Sequence, residues 1–249
     1  MSTLASKILV VAGIGAGGGT GAAVARLFAK SGYNVALIAR NTDSLNKLSE
    51  DIQQSGGSAA PFPVRNYSGP EVSSAFAAIR RQWPGVPIRT AVWNAGHAVW
   101  DAFLNIKDED VEKTAEGAFF GPISFSRESI KAFQQQDLDE QGSRGTLIFT
   151  GATAATRGNI TTSVFASGKF ASRALSQSLA KEFGKQNIHV VHAIIDGSIA
   201  TDRNAGEEKT NPDKNLYPEA IAETYEFLSR QHRSAWTWEL DLRPAHEKW

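Results

Sequence analysis

The sequence contains no cysteine. That excludes disulfides, thiol nucleophiles and cysteine-bound metals together. It also lacks an excess of either charge, since 26 lysines and arginines are matched by 26 aspartates and glutamates. A balanced chain presents no strong electrostatic footprint, so neither nucleic acid nor an anionic membrane is expected as a partner. No apolar run reaches the length of a membrane span and no secretory pattern opens the chain, so a cytoplasmic protein is expected. The sequons Asn66-Tyr67-Ser68 and Asn159-Ile160-Thr161 carry no meaning without secretion. Metal spacing of the His-Glu-x-x-His kind and a hydrolase Gly-x-Ser-x-Gly elbow are both missing, so no metal site is expected.

What the chain does have is the stretch Ile8 to Gly21, ILVVAGIGAGGGTG. Four apolar residues, Ile8 to Val11, read as a buried strand, and the glycines that follow permit a tight turn and close backbone approach. A helix pattern then begins, with Ala22, Val24, Ala25, Leu27 and Phe28 on one face. Strand, glycine turn and helix in that order leave N–H groups unpaired at a helix N-terminus, a setting for a pyrophosphate. A flexible glycine-rich loop is the alternative.

Asn34 to Ala39 reads as a second buried strand ending at Arg40 and Asn41. In a dinucleotide fold that end faces the adenosine ribose, where an acidic side chain would bind the 2′-hydroxyl and an arginine a 2′-phosphate. Arg40 therefore favours NADP(H) over NAD(H); a solvated surface arginine is the alternative. Helices are expected over Thr42 to Ser55, Glu71 to Trp83, Asp108 to Phe133 with an interruption near Gly121-Pro122, Ser163 to Gly184, and Pro218 to Arg230. Ala59 to Val64, broken by Pro61 and Pro63, reads as a short or edge strand. Strands are expected over Ile88 to Trp93, Thr146 to Phe149, Ile188 to Ile195 and Ala235 to Leu242. This alternation implies an α/β protein with a doubly wound parallel sheet and its ligand at the carboxyl ends of the strands. One Rossmann-like domain over residues 1–249 is expected, with a nucleotide-binding half at about 1–100 and a polar substrate loop at about 198–218.

These motifs resemble the short-chain dehydrogenases/reductases, NAD(P)-dependent oxidoreductases. Ala12-Gly13, Gly17 and Gly19 are similar to the family's Thr-Gly-x-x-x-Gly-x-Gly turn, and Asn94-Ala95-Gly96 matches its Asn-Ala-Gly motif. The resemblance implies that Gly13, Gly15, Gly17, Gly18 and Gly19 bind the cofactor with Arg40 and Asn94-Ala95-Gly96. It further implies that Gly197, Ile199 and Thr201 border the nicotinamide amide, and that Lys169 stands at the active-site lysine. Against the family's catalytic Tyr, Ser and Asn, the chain has Phe165, Ala152 and Ala118. Ketone reduction produces an alkoxide that needs a proton and hydrogen bonds, and a phenyl ring with two methyl groups supplies neither.

Other groups are candidates for that work. His97 follows the Asn-Ala-Gly turn, Asp196 precedes Gly197, and Thr153 lies one residue past Ala152. Each also has a structural alternative, as a hydrogen-bonded loop histidine, a turn-stabilising carboxylate or an ordinary turn hydroxyl. Tyr217 and Asp101 are weaker candidates, and His189 and His192 are expected in the core. Trp100, if it closes over the cofactor with the segment near Tyr217, suits an apolar or aromatic substrate. The first expectation is an NADP(H)-dependent oxidoreductase with a divergent site, acting on a small carbonyl, imine or activated alkene. The alternative is a non-redox isomerase or cyclase, or an NADP-sensing protein. The family resemblance also suggests a homodimer or homotetramer built on the two long helices.

Overall fold

A computed structural model describes residues 7–15, 18–201 and 213–246. Seven strands form one parallel sheet: β1 (Lys7–Ala12), β2 (Tyr33–Ala39), β3 (Ser58–Pro63), β4 (Ile88–Trp93), β5 (Gly145–Thr150), β6 (Ile188–Ile195) and β7 (Glu239–Leu242). Their order is β3-β2-β1-β4-β5-β6-β7. The chain winds outward from β1 through β2 to β3, then restarts on the other side of β1 at β4. Connections on either side of that reversal diverge, and a crevice opens at the carboxyl ends of β1 and β4.

Burial on both faces explains the near-continuous apolar strands. In β1, Leu9 and Val11 enter one core with α1 (Thr20–Lys30), α2 (Thr42–Gln54) and α7 (Pro218–Ser229). Ile8, Val10 and Ala12 enter the other, with α3 (Gly69–Gln82) and α5 (Gly121–Gln134). The strand period of two divides one sequence between two cores. Each fully buried Leu, Ile or Val contributes roughly 1.5–3 kcal/mol.

The β3 strand lies at the sheet edge, as its prolines require. Val64 N–H donates to Ala39 O at 3.1 Å, so Phe62 and Ala60 share that direction toward β2 while Pro61 and Pro63 face outward, where no ladder bond is lost. At the opposite edge, β7 is shorter than the expected Ala235–Leu242. The Gln231 side chain accepts the Thr237 N–H at 2.9 Å, and Arg233–Ala235 forms a 3-10 turn instead.

The long helix expected over Asp108 to Phe133 is divided. An α-helix, α4 (Asp108–Ala115), runs into a π turn at Glu116–Phe120 and then into α5. The break precedes Gly121-Pro122 because Pro122 has no N–H to offer Ala118 O, four residues back. Gly121 N–H instead donates to Glu116 O, and Ala118 O accepts Ser172 Oγ at 2.7 Å from α6 (Ser163–Phe183). Of the expected loop over residues 198–218, residues 202–212 lie outside the described residues. Its ends meet where Ala200 N–H donates to Leu216 O and Leu216 N–H to Ser198 O, both at 2.8 Å.

Candidate active site

The glycine turn after β1 contains glycines of two kinds. Gly13 has φ +90°, and a Cβ there would lie 2.4 Å from Ala95 N. Gly21 would place a Cβ 2.2 Å from Gly13 O, the atom that accepts Asn94 Nδ2 at 2.7 Å. These two glycines, with Ala95 and Asn94, hold β1 and β4 together. A Cβ at Gly15, Gly19 or Gly96 would meet nothing, so their backbones border open space. Gly15 has φ +63°, Gly18 is exposed, and Gly17 lies outside the described residues. Gly19 is the N-cap of α1 and supplies no side-chain cap. Beside it Thr20 is 3% exposed, lines the cleft, and has a hydroxyl with no partner. An uncapped helix start, bare glycine backbone and an unsatisfied buried hydroxyl fit a phosphate-bearing dinucleotide.

The turn opens into a cleft of about 1000 Å³ at the carboxyl ends of β1, β4, β5 and β6. Gly19, Asn94, Gly96, His97, Thr153, Lys169, Asp196, Gly197, Ile199 and Thr201 all border it. Sequence spacing of more than 180 residues is thus closed into one wall. Arg40 stands apart from that lining. Its Nη1 is 3.3 Å from Glu116 Oε2 in the π turn, and its guanidinium lies 5.7 Å from the centroid of Tyr67. Glu116 Oε1 also accepts the Tyr67 N–H at 2.8 Å. Asn41 is occupied as the α2 cap, accepting Ser44 N–H at 2.8 Å.

Lys169 projects from α6 one turn after Phe165. Its Nζ donates to Thr150 O at 3.0 Å and lies 5.8 Å from the Phe165 ring centroid. Burial without a counter-ion pushes its pKa down to about 8. Phe165 packs on Trp100 with centroids 5.3 Å apart, which makes an aromatic wall at the cleft. Behind this wall is a second, enclosed space of about 10 Å³, bordered by His97, Thr114, Ala118, Phe165 and Lys169.

The three candidate proton-handling residues fall into two networks. His97 Nε2 and Asp110 Oδ1 are 2.9 Å apart, joining the β4 loop to the first turn of α4. Asp196 is buried; its Oδ1 accepts the Thr153 hydroxyl, and its Oδ2 is 2.7 Å from Arg243 Nη2. The single O–H of Thr153 is therefore used, and toward a substrate this hydroxyl can accept but not donate. Asp101 stabilises its own loop by accepting Ala102 N–H at 2.7 Å, and Tyr217 precedes α7 as its N-cap residue. His189 and His192 are buried, as expected of core residues. Burial without compensating charge moves His189 down to about 4.

Asp110, Glu116 and Arg243 are absent from the sequence reading. Each meets its partner through tertiary contact, and the only local signal was the acidic first turn of α4. Among the described residues no group of histidines and carboxylates could hold a metal ion, and no helix is long and apolar enough to cross a membrane.

A seven-stranded parallel sheet with a glycine turn at its switch point defines a Rossmann-like nucleotide-binding fold. Residues 7–212 match the short chain dehydrogenase family, and the chain belongs to that family, which places it among oxidoreductases. It is 27% identical over 243 residues to the uncharacterized oxidoreductase YxnA of Bacillus subtilis, covering 92% of this chain and 64% of that protein. It is 29% identical over 212 residues to the NADPH-dependent 1-acyldihydroxyacetone phosphate reductase of Saccharomyces cerevisiae, covering 85% of this chain and 66% of that protein. The chain thus spans just under two thirds of the length of both relatives. The crystal structure of a short-chain dehydrogenase from Rhodopseudomonas palustris is 30% identical and superposes with a TM-score of 0.79, over 97% of this chain and 99% of that one.

Proposed function

We propose that the protein is an NADP(H)-dependent oxidoreductase whose catalytic site departs from its family, with Phe165, Ala152 and Ala118 in the places of the usual Tyr, Ser and Asn. The observation that supports cofactor use above others is the open backbone at Gly15, Gly19 and Gly96 beside the unpartnered Thr20 hydroxyl. Arg40 would hold a 2′-phosphate, exchanging its contact with Glu116 for a stronger one. Lys169 would hold the ribose hydroxyls, and Gly197, Ile199 and Thr201 the nicotinamide amide. The bound dinucleotide supplies or takes the hydride. NADP preference is also supported by the NADPH-dependence in the yeast relative's name.

His97 is the best-placed proton group. Asp110 holds its ring through Nε2, which leaves Nδ1 as the nitrogen available to a substrate. Asp196, held by Thr153 and Arg243, orients the loop before Gly197 rather than moving a proton. With Phe165, Ala152 and Ala118 at the catalytic positions and the Thr153 hydroxyl donating to Asp196, substrates that need little oxyanion support fit best: iminium ions first, then activated alkenes and carbonyls. The Trp100–Phe165 wall suits an apolar or aromatic substrate. A homodimer or homotetramer is also proposed, because α6 and the π turn present Phe119, Phe120 and Phe170 to solvent.

The test is a titration with NADPH and NADH followed by tryptophan-to-nicotinamide energy transfer, then a hydride-transfer screen. NADPH binding that weakens in Arg40→Ala supports the assignment. Binding of neither nucleotide refutes it, and product formed without change in nicotinamide absorbance selects a non-redox isomerase or cyclase.

A further inference from the structure

We propose that, before a dinucleotide enters, Lys169 captures aromatic or apolar aldehydes as imines in the cleft, a second activity of this pocket that involves no hydride. Lys169 borders both the cleft and the small space behind it, so the cleft gives access to this part of the side chain. Among the described residues no carboxylate pairs with it, and its one hydrogen bond runs to a neutral carbonyl, Thr150 O. A phenyl ring, which has no hydroxyl to offer the nitrogen, fills the position one turn earlier on α6.

An ammonium in such surroundings loses hydration without gaining a counter-charge, and the neutral amine is favoured. With its proton affinity down to about 8, roughly a tenth of the molecules hold a free amine at neutral pH, against well under a thousandth for an ordinary lysine. The titratable groups sharing the cleft with it are His97, held by Asp110, with Asp196, Arg157, Lys214 and His246. On β6 lies His192, whose proton affinity burial lowers and the Lys169 charge lowers further.

The chemistry balances without an oxidant or reductant. The Nζ lone pair forms a bond to the aldehyde carbon, and a proton passes from nitrogen to oxygen to give a carbinolamine. The C–O bond then breaks as His97 protonates the departing hydroxyl, and one water leaves. The resulting iminium lies beside Phe165 and Trp100, whose rings favour a cation and a flat apolar substituent. Such an iminium is itself an electron sink, which opens proton abstraction at the adjacent carbon without a phenol or an oxyanion hole.

The test incubates the cofactor-free protein with benzaldehyde and cyanoborohydride and locates benzylated lysines by peptide mass mapping. Lys169 is expected to label at least about tenfold faster than exposed lysines such as Lys185, with a rate rising through pH 8 rather than pH 10. Lys169→Met should lose this fast site and Lys185→Met should keep it, both with unchanged circular dichroism. Phe165→Tyr should slow it. Labelling spread over surface lysines with Lys169 unmodified overturns the proposal. Protection by NADPH rests on the dinucleotide assignment above. Fast labelling without that protection supports capture and refutes the assignment, so the two fail separately.

Discussion

Phe165 and Lys169 stand one helical turn apart on α6, with the amine 5.8 Å from the ring centroid. The ammonium therefore faces a hydrocarbon ring. If Phe165 occupies the catalytic tyrosine's place, as proposed, the difference is electronic rather than steric, and one oxygen atom should restore the function.

Phe165→Tyr is accordingly expected to raise carbonyl reduction by about 10²-fold or more, the usual worth of a positioned general acid. NADPH oxidation over a ketone and aldehyde panel measures this. No gain on any carbonyl, with cofactor binding intact, would show that Ala152 and Ala118 are limiting instead.

Gly13 and Gly19 should respond differently to alanine. Gly13→Ala meets Ala95 N at 2.4 Å and a left-handed φ at once, so a loss on the order of 3 kcal/mol in urea unfolding is expected. Gly19→Ala meets nothing, so stability should hold while NADPH binding falls. Equal effects on binding and stability at both positions would remove the distinction between packing and ligand-facing glycines.

Glu116→Gln should release Arg40 while keeping an acceptor for the Tyr67 N–H. Because the pair is partly exposed, NADPH affinity should rise by no more than about fivefold, with NADH unchanged. Parallel fluorescence titrations decide it. A weakened NADPH complex would mean that Glu116 positions Arg40 rather than competing for it.

Lys169 also gives the stability a pH dependence. Its proton affinity is about 8 in the fold and near the ordinary 10.5 when unfolded, so the unfolded chain binds more protons between those values. Wild-type stability relative to Lys169→Met should therefore rise from pH 8 toward pH 10.5, by roughly 2–3 kcal/mol. Urea midpoints at pH 7.5 and pH 10 measure it, and a flat difference would show the amine to be hydrated.

The strands, the glycine turn and the order of elements were legible because each is a local pattern: apolar runs bounded by Gly, Pro and polar turns. Lys169 and Asn94 were equally legible from their motifs, and both border the site. Glu116 was not, since nothing near Arg40 in sequence announces a carboxylate 76 residues away. The same holds for Arg243, which reaches Asp196 from beyond the last strand. The helix interruption expected near Gly121-Pro122 falls in the turn just before that pair, Glu116–Phe120. Proline acts on the carbonyl four residues before it, so the disturbance from Pro122 appears at Ala118, where a Ser172 hydroxyl was available to receive it.

The two prolines of β3 have a consequence beyond the folded monomer. A sheet edge invites a foreign strand by presenting alternating donors and acceptors. At Pro61 and Pro63 the donors are missing from the outward side alone, so an incoming chain would find carbonyls with no N–H between them. Crowded in a cell or concentrated in a tube, this protein should resist stacking strand on strand along that side, and β3 is the end of its sheet by chemistry rather than by length.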